Sequence, residues 1–155
     1  MKEQLEFVEK SLQDILTYLD IEGSFDISYD KTNSLIKINI GGDDIGNLIG
    51  YHGENIFALQ NILLVSLLRK YEEPAKLYLD IGGYRLKREE KLIEMVVDIA
   101  DKVRKSSRSY KMSPMTANDR RIVHCEISKF SDLISYSVGE GRDRRVIISK
   151  QELGN

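Results

Sequence analysis

Cysteine and proline are scarce in this chain, with one cysteine and two prolines in 155 residues. A lone cysteine cannot close an internal disulfide, and no apolar run approaches the ~18 residues that a membrane span needs. The amino-terminal MKEQLEFVEK alternates charge with apolar residues, where a secretory signal has a continuous hydrophobic core. The expected location is therefore the cytoplasm. Histidine is scarce too: His52 and His124 are the only two, and nothing pairs either as a base with a nucleophile. Internal repeats and low-complexity tracts are also missing.

What is present is the composition of an ordered protein, 41% hydrophobic and 31% charged. That length suits one ordinary domain or two small ones. The net charge of -2 hides an asymmetry. Residues 1–84 hold 7 Lys and Arg against 14 Asp and Glu, whereas residues 85–155 hold 16 against 11. The second part is thus the better match for a polyanion.

Residues 2–20 place Leu5, Val8, Leu12, Ile15, Leu16 and Leu19 at helical spacing, predicting an amphipathic helix that Gly23 stops. SFDISYD and SLIKINI read as strands around the turn DKTN. Asp43 or Asp44 is placed to cap a short helix over 45–49, and residues 55–70 read as a long buried helix. After Pro74, AKLYLDI alternates as a third strand. A right-handed crossover returns that strand beside the second in parallel, giving a three-stranded mixed sheet with helices on one face. Gly82 and Gly83 mark a boundary, so the domains are read as 1–83 and 84–155. A long helix from Tyr84 to about Ser107 has Leu86, Leu92, Ile93, Val96, Ile99, Ala100 and Val103 on its buried face. KSSRSYKMSPM carries a connection and a short strand. Thr116 and Asp119 open a capped helix to about Ser128, and LISYSV, GEGRD and RRVIIS close as a hairpin. The fold class is α+β.

LIGYHGENI sets Gly50 and Gly53 around Tyr51 and His52, between two helices. Amides at the start of the second helix would point outward, where the helix dipole suits phosphate. Ile49, Gly50, Gly53 and Ile56 fit the I-G-x-x-G-x-x-I core of KH domains, and the element order resembles their bacterial, type II form. That resemblance implies a single strand held by the GxxG loop, which clamps about four nucleotides, with bases in an apolar groove beside it. KH loops often carry Lys or Arg in the middle pair. Tyr51 can stack and His52 can hydrogen-bond, but neither supplies a full charge at neutral pH. Much of the affinity must then come from elsewhere.

NDRRIVHCEI places Arg120 and His124 four apart, about 40° from each other on one helix face. Val123, Ile127 and Phe130 form the adjoining apolar stripe. An Arg-x-x-x-His helix followed by YSVGEGRDRRVII resembles the small α/β RxxxH domain associated with single-stranded polynucleotides. Arg120 then offers a fork of donors to phosphate, with His124 a smaller donor beside it. Arg144 and Arg145 project to opposite faces of a strand, so only one can face this site, and Arg145 is favoured. KH followed by RxxxH resembles the Jag family, also called KhpB or SpoIIIJ-associated proteins, over roughly Gln4 to Lys150. The family implies single-stranded RNA or DNA as ligand, bacterial post-transcriptional regulation, and partnership with a small KH protein or, peripherally, a membrane insertase.

The alternative is a protein-interaction adaptor whose acidic first half docks a partner. GGDD, residues 41–44, resembles the metal-binding turn of nucleotide cyclases, but its acids are better explained as helix caps. His124, Cys125 and Glu126 diverge by about 100° per residue on a helix and cannot meet at one ion. No cofactor, metal or catalytic residue is expected.

Overall fold

The computed structural model describes residues 1–43 and 45–151. The chain forms two compact units, Met1–Arg85 and a second from Leu86 onward.

In the first unit, α1 (Lys2–Tyr18) is followed by β1 (Ser24–Asp30) and β2 (Leu35–Gly41). Helices α2 (Gly46–Ile49) and α3 (Glu54–Lys70) then lead to β3 (Lys76–Ile81). The sheet order is β1-β2-β3, with β1 and β2 antiparallel and β2 and β3 parallel, as the crossover argument requires. Register sets Ile36, Ile38 and Ile40 beside Leu77, Leu79 and Ile81, all buried. Val8, Leu12 and Leu16 from α1 and Ile56, Leu59, Leu63 and Leu67 from α3 complete this core. Each such side chain contributes about 1.5–3 kcal/mol on burial. Exposed Lys37, Asn39 and Lys76 alternate with the buried set, so the helices occupy one face. At the free edge of β3, Gln60 Oε1 accepts from Leu79 N–H (3.1 Å) and Asp80 Oδ1 from Ile81 N–H (2.9 Å), which blunts a pairing edge.

Two local expectations change in this unit. Helix α1 ends before Gly23: Asp20 takes the left-handed conformation (φ 54°), and Asp20 and Ile21 N–H bond back to the Thr17 and Leu16 carbonyls. That is a Schellman closure made without glycine, and it leaves Leu19 exposed beyond the buried face. Helix α2 has Ile45 as its N-cap with no side-chain cap bond, so Asp43 does not cap it; Asp44 lies outside the described residues. The buried face of α1 also takes in a polar residue. Gln4 is buried because its amide donates to Glu73 O (3.0 Å) and accepts from Ala75 N–H (2.9 Å).

Gly82 and Gly83, both at positive φ, turn the chain into α4 (Tyr84–Ser106). The first two residues of that helix still belong to the first unit. Arg85 donates to Gln60 (2.7 Å) and stacks over Phe57 and Tyr78 at 4.5 and 4.6 Å.

The second unit continues with β4 (Tyr110–Lys111), α5 (Ala117–Ile127), β5 (Leu133–Val138) and β6 (Arg145–Lys150). Its sheet order is β4-β6-β5, antiparallel throughout. Leu92, Val96, Ile99, Ala100 and Val103 from α4 meet Val123 and Ile127 from α5 and Val146 and Ile148 from β6. Leu86, expected on that face, is exposed instead. Thr116 caps α5 by accepting from Asp119 N–H at 3.2 Å. The Asp119 carboxylate does not close a capping box. It accepts two bonds from Arg88, at 2.9 and 3.2 Å, in a buried setting.

Candidate nucleic-acid interface

In the first unit the turn between α2 and α3 is built around positive φ at three of the four GxxG positions. Gly50 sits at φ 68°, His52 at φ 53° and Gly53 at φ 81°. A Cβ on Gly50 would lie 2.5 Å from the Asn55 side chain, and one on Gly53 would lie 2.8 Å from the Tyr84 ring. Asn55 in turn donates to Asn47 O at 2.8 Å, bracing one side of the turn against the other. Gly53, itself buried, is the N-cap of α3 and supplies no side-chain cap, and the exposed Glu54 opens the helix. Tyr51 is 68% exposed, and its ring meets the His52 ring edge-on at 3.9 Å between centroids.

A groove of about 710 Å³ runs beside this turn. Asn47 and Leu48 before the turn and Asn55, Ala58, Leu59 and Ile62 after it form one wall; Ile15, Leu19, Asp20, Ile21 and Glu22 form the other. Leu19, exposed at the helix end, is therefore a lip of the groove. The wall is apolar with amides near the turn, and the opposite lip carries two acids. Such a groove suits flat rings with polar edges better than phosphate.

In the second unit Arg120 and His124 do share one face of α5, and that face looks onto β5. His124 Nδ1 is 2.7 Å from Ser135 Oγ and Nε2 is 2.9 Å from Ser137 Oγ. Neutral imidazole donates through one nitrogen and accepts through the other, so one hydroxyl accepts a hydrogen bond from the ring and the other donates one to it. Arg120 donates to Ser137 Oγ at 3.4 Å, and its buried Nε has no partner among the described residues. Burial, then the charge of Arg120, holds the His124 pKa below the ordinary value of 6.5. The guanidinium is lightly tied and keeps donors for an anion; the histidine is occupied on both nitrogens.

Sequence alone does not single out the two serines, although the alternation in LISYSV already sets Leu133, Ser135 and Ser137 on one face. The preference for Arg145 is corrected by register. Ser137 stands opposite Val146 and Val138 opposite Arg145, so Arg145 lies on the other face of the sheet from Ser137, His124 and Arg120. Its Nε donates to Asp143 O at 2.9 Å. By alternation Arg144, in extended backbone, belongs to the Val146 face.

Residues 5–81 match the family of KhpA/KhpB KH domains, and residues 90–150 match the Arg-x-x-x-His (RxxxH) domain family. This chain is a KH–RxxxH protein of the Jag/KhpB family. It is similar to RNA-binding protein KhpB of Bacillus subtilis, with 30% identity over 131 residues, covering 83% of this chain and 63% of that protein. The protein of the same name from Clostridium symbiosum is 31% identical over 145 residues, 94% of this chain and 64% of that one. That of Streptococcus pneumoniae serotype 2 is 29% identical over 140 residues, 90% and 42%. The chain thus spans less than two thirds of the length of these relatives.

Proposed function

We propose that this KH–RxxxH chain binds single-stranded RNA and acts in bacterial post-transcriptional regulation. The observation that carries this reading is the GxxG turn, where Gly53 leaves α3 without a side-chain cap, beside the exposed Tyr51 and an apolar groove with amides near the turn. The relatives are RNA-binding proteins by name, which supports the same ligand. Charge comes from the second unit, where the half-buried Arg120 meets Ser137 between α5 and β5 and the exposed Arg144 lies on the same side of the sheet by alternation. DNA single strands share the phosphate chemistry, and the 2′-hydroxyl is what would separate the two.

The partner in this reading is a small KH protein. Ile62, Val65 and Leu68 are each half exposed on α3, at spacings of three, and form an apolar ridge suited to another helix. Association with a membrane insertase would be peripheral for the described residues, among which no helix is long and apolar enough to cross a membrane.

The test is fluorescence anisotropy of a labelled oligouridylate with the full chain. Tyr51→Asp sets a carboxylate in the GxxG turn without touching either glycine, and should weaken binding at least tenfold. Arg120→Ala removes a charge-assisted bond worth about 1.5–3 kcal/mol, roughly ten- to a hundredfold. Arg121→Ala, about 100° around α5, controls for loss of charge alone. Unchanged affinity in both Tyr51→Asp and Arg120→Ala, with the fold intact, would refute the reading.

A further inference from the structure

The sheet of the second unit keeps one face against its helices and leaves the other in solvent. Register defines the open face. Lys111 of β4 is opposite Ile147 of β6, and Ile147 is opposite Tyr136 of β5, so these three form one row across all three strands. Arg145 lies two residues along β6 from Ile147, and Ile134 two along β5 from Tyr136, on the same face. Tyr136 is 46% exposed and Ile134 41% exposed. No acidic residue occupies an outward position on any of these strands.

Single exposed apolar residues on an open sheet are ordinary. Here a tyrosine in an apolar surround is flanked by two cations, which is the make-up of a platform for single strands: rings for bases, basic side chains for the backbone. We propose that the outward face of β4-β6-β5 is a second contact surface for single-stranded RNA, with a base stacked on Tyr136 and phosphates met by Lys111 and Arg145. Strand spacing puts Lys111 about 10 Å from Tyr136, two strands away. Arg145 is a diagonal neighbour at about 7–8 Å, within reach of a long side chain. The carboxylate of Asp143 stands 3.8 Å from Arg145 and is 90% exposed, so it is an exchangeable surface partner that a phosphate can replace. The occupant is a polyanion rather than an apolar protein surface because both charges of the face are positive.

This inference rests on the RNA-binding reading but uses none of the residues of the Arg120–His124 site. The experiment measures full-length chain binding to oligouridylates of about 4 and about 12 nucleotides, the shorter matching one KH clamp. Tyr136→Ala should weaken the longer ligand roughly five- to a hundredfold, the range found for losing one base–aromatic stack. Tyr136→Phe should bind as wild type, since the ring is kept. Lys111→Glu, on an exposed two-residue edge strand, should weaken it several-fold and make the salt slope shallower by about 0.7. Wild-type affinity in Tyr136→Ala and Lys111→Glu overturns the second surface alone and leaves the face to a protein partner. A wild-type chain that binds neither oligomer overturns the RNA-binding reading and this inference together.

Discussion

Replacing Arg88 by methionine tests what holds the amino end of α5, the turn that presents Arg120. The Arg88 side chain is 19% exposed and that of Asp119 5%, and two bonds, at 2.9 and 3.2 Å, run between them. Methionine keeps much of the stem but leaves the Asp119 carboxylate buried and unmatched. Breaking a buried pair from one side costs about 3–5 kcal/mol, because the desolvated charge stays behind. A small unit has roughly 5 kcal/mol to lose, so Arg88→Met should bring the second unit close to half unfolding in mild urea. Arg104→Met is the control: Arg104 also grips a carboxylate twice, Asp132 at 2.7 Å, but in the open, and its loss should barely register. Urea unfolding of the full chain, with amide hydrogen exchange read on α5 peptides, separates the second unit from the first. Adding Asp119→Leu to Arg88→Met should recover most of the loss, since an apolar pair removes the stranded charge. An Arg88→Met variant no less stable than Arg104→Met would refute the reasoning.

Two further outcomes follow from the sites themselves. Gly53→Ala should destabilise the first unit by about 1–2 kcal/mol for the left-handed backbone alone, and by more because the new Cβ meets the Tyr84 ring at 2.8 Å. Gly46→Ala, with nothing within 4 Å of its Cβ, should instead stabilise slightly, and thermal unfolding of the pair reads both signs. For His124, the folded chain holds the pKa below 6.5, so the unfolded chain takes up the proton first as pH falls. Its contribution to stability is complete above about pH 6.5 and is lost as pH drops through that value toward the folded pKa. Urea midpoints of the second unit should therefore fall between about pH 7.5 and pH 5, and His124→Gln should flatten that decline; equal slopes in both chains would count against it.

The sheet order, the parallel crossover and the two motifs can be read from sequence because each rests on a period or a fixed spacing. Alternation buries Ile36, Ile38 and Ile40 together, and a four-residue step puts Arg120 and His124 on one face. Long-range polar partners leave no such trace. Gln4 closing on residues 73 and 75, Arg88 reaching Asp119 and Gln60 sealing the edge of β3 depend on elements that meet only after folding. Helix ends escape sequence for a related reason: a Schellman closure at Asp20 needs a left-handed residue, and the nearby Gly23 is the less costly candidate. Arg145 turns on one fact that sequence leaves open, the register of β6 against β5, and a shift of one residue moves every side chain to the other face.

That register also bears on how the charges of the second unit can be used. His124 is pinned by Ser135 and Ser137 and held neutral by burial beside Arg120. It fixes β5 against α5 beside the half-buried Arg120 guanidinium, and the arginine carries the charge. Arg144 and Arg145 then diverge by alternation, Arg144 to the Val146 face and Arg145 to the face of Tyr136. Ser137, on the Arg120 face, and Tyr136, on the open face, both belong to the edge strand β5, so in the proposed reading a flexible single strand would pass from one face to the other around that edge. Selectivity for single strands would thus arise from the placement of the cations rather than from their number.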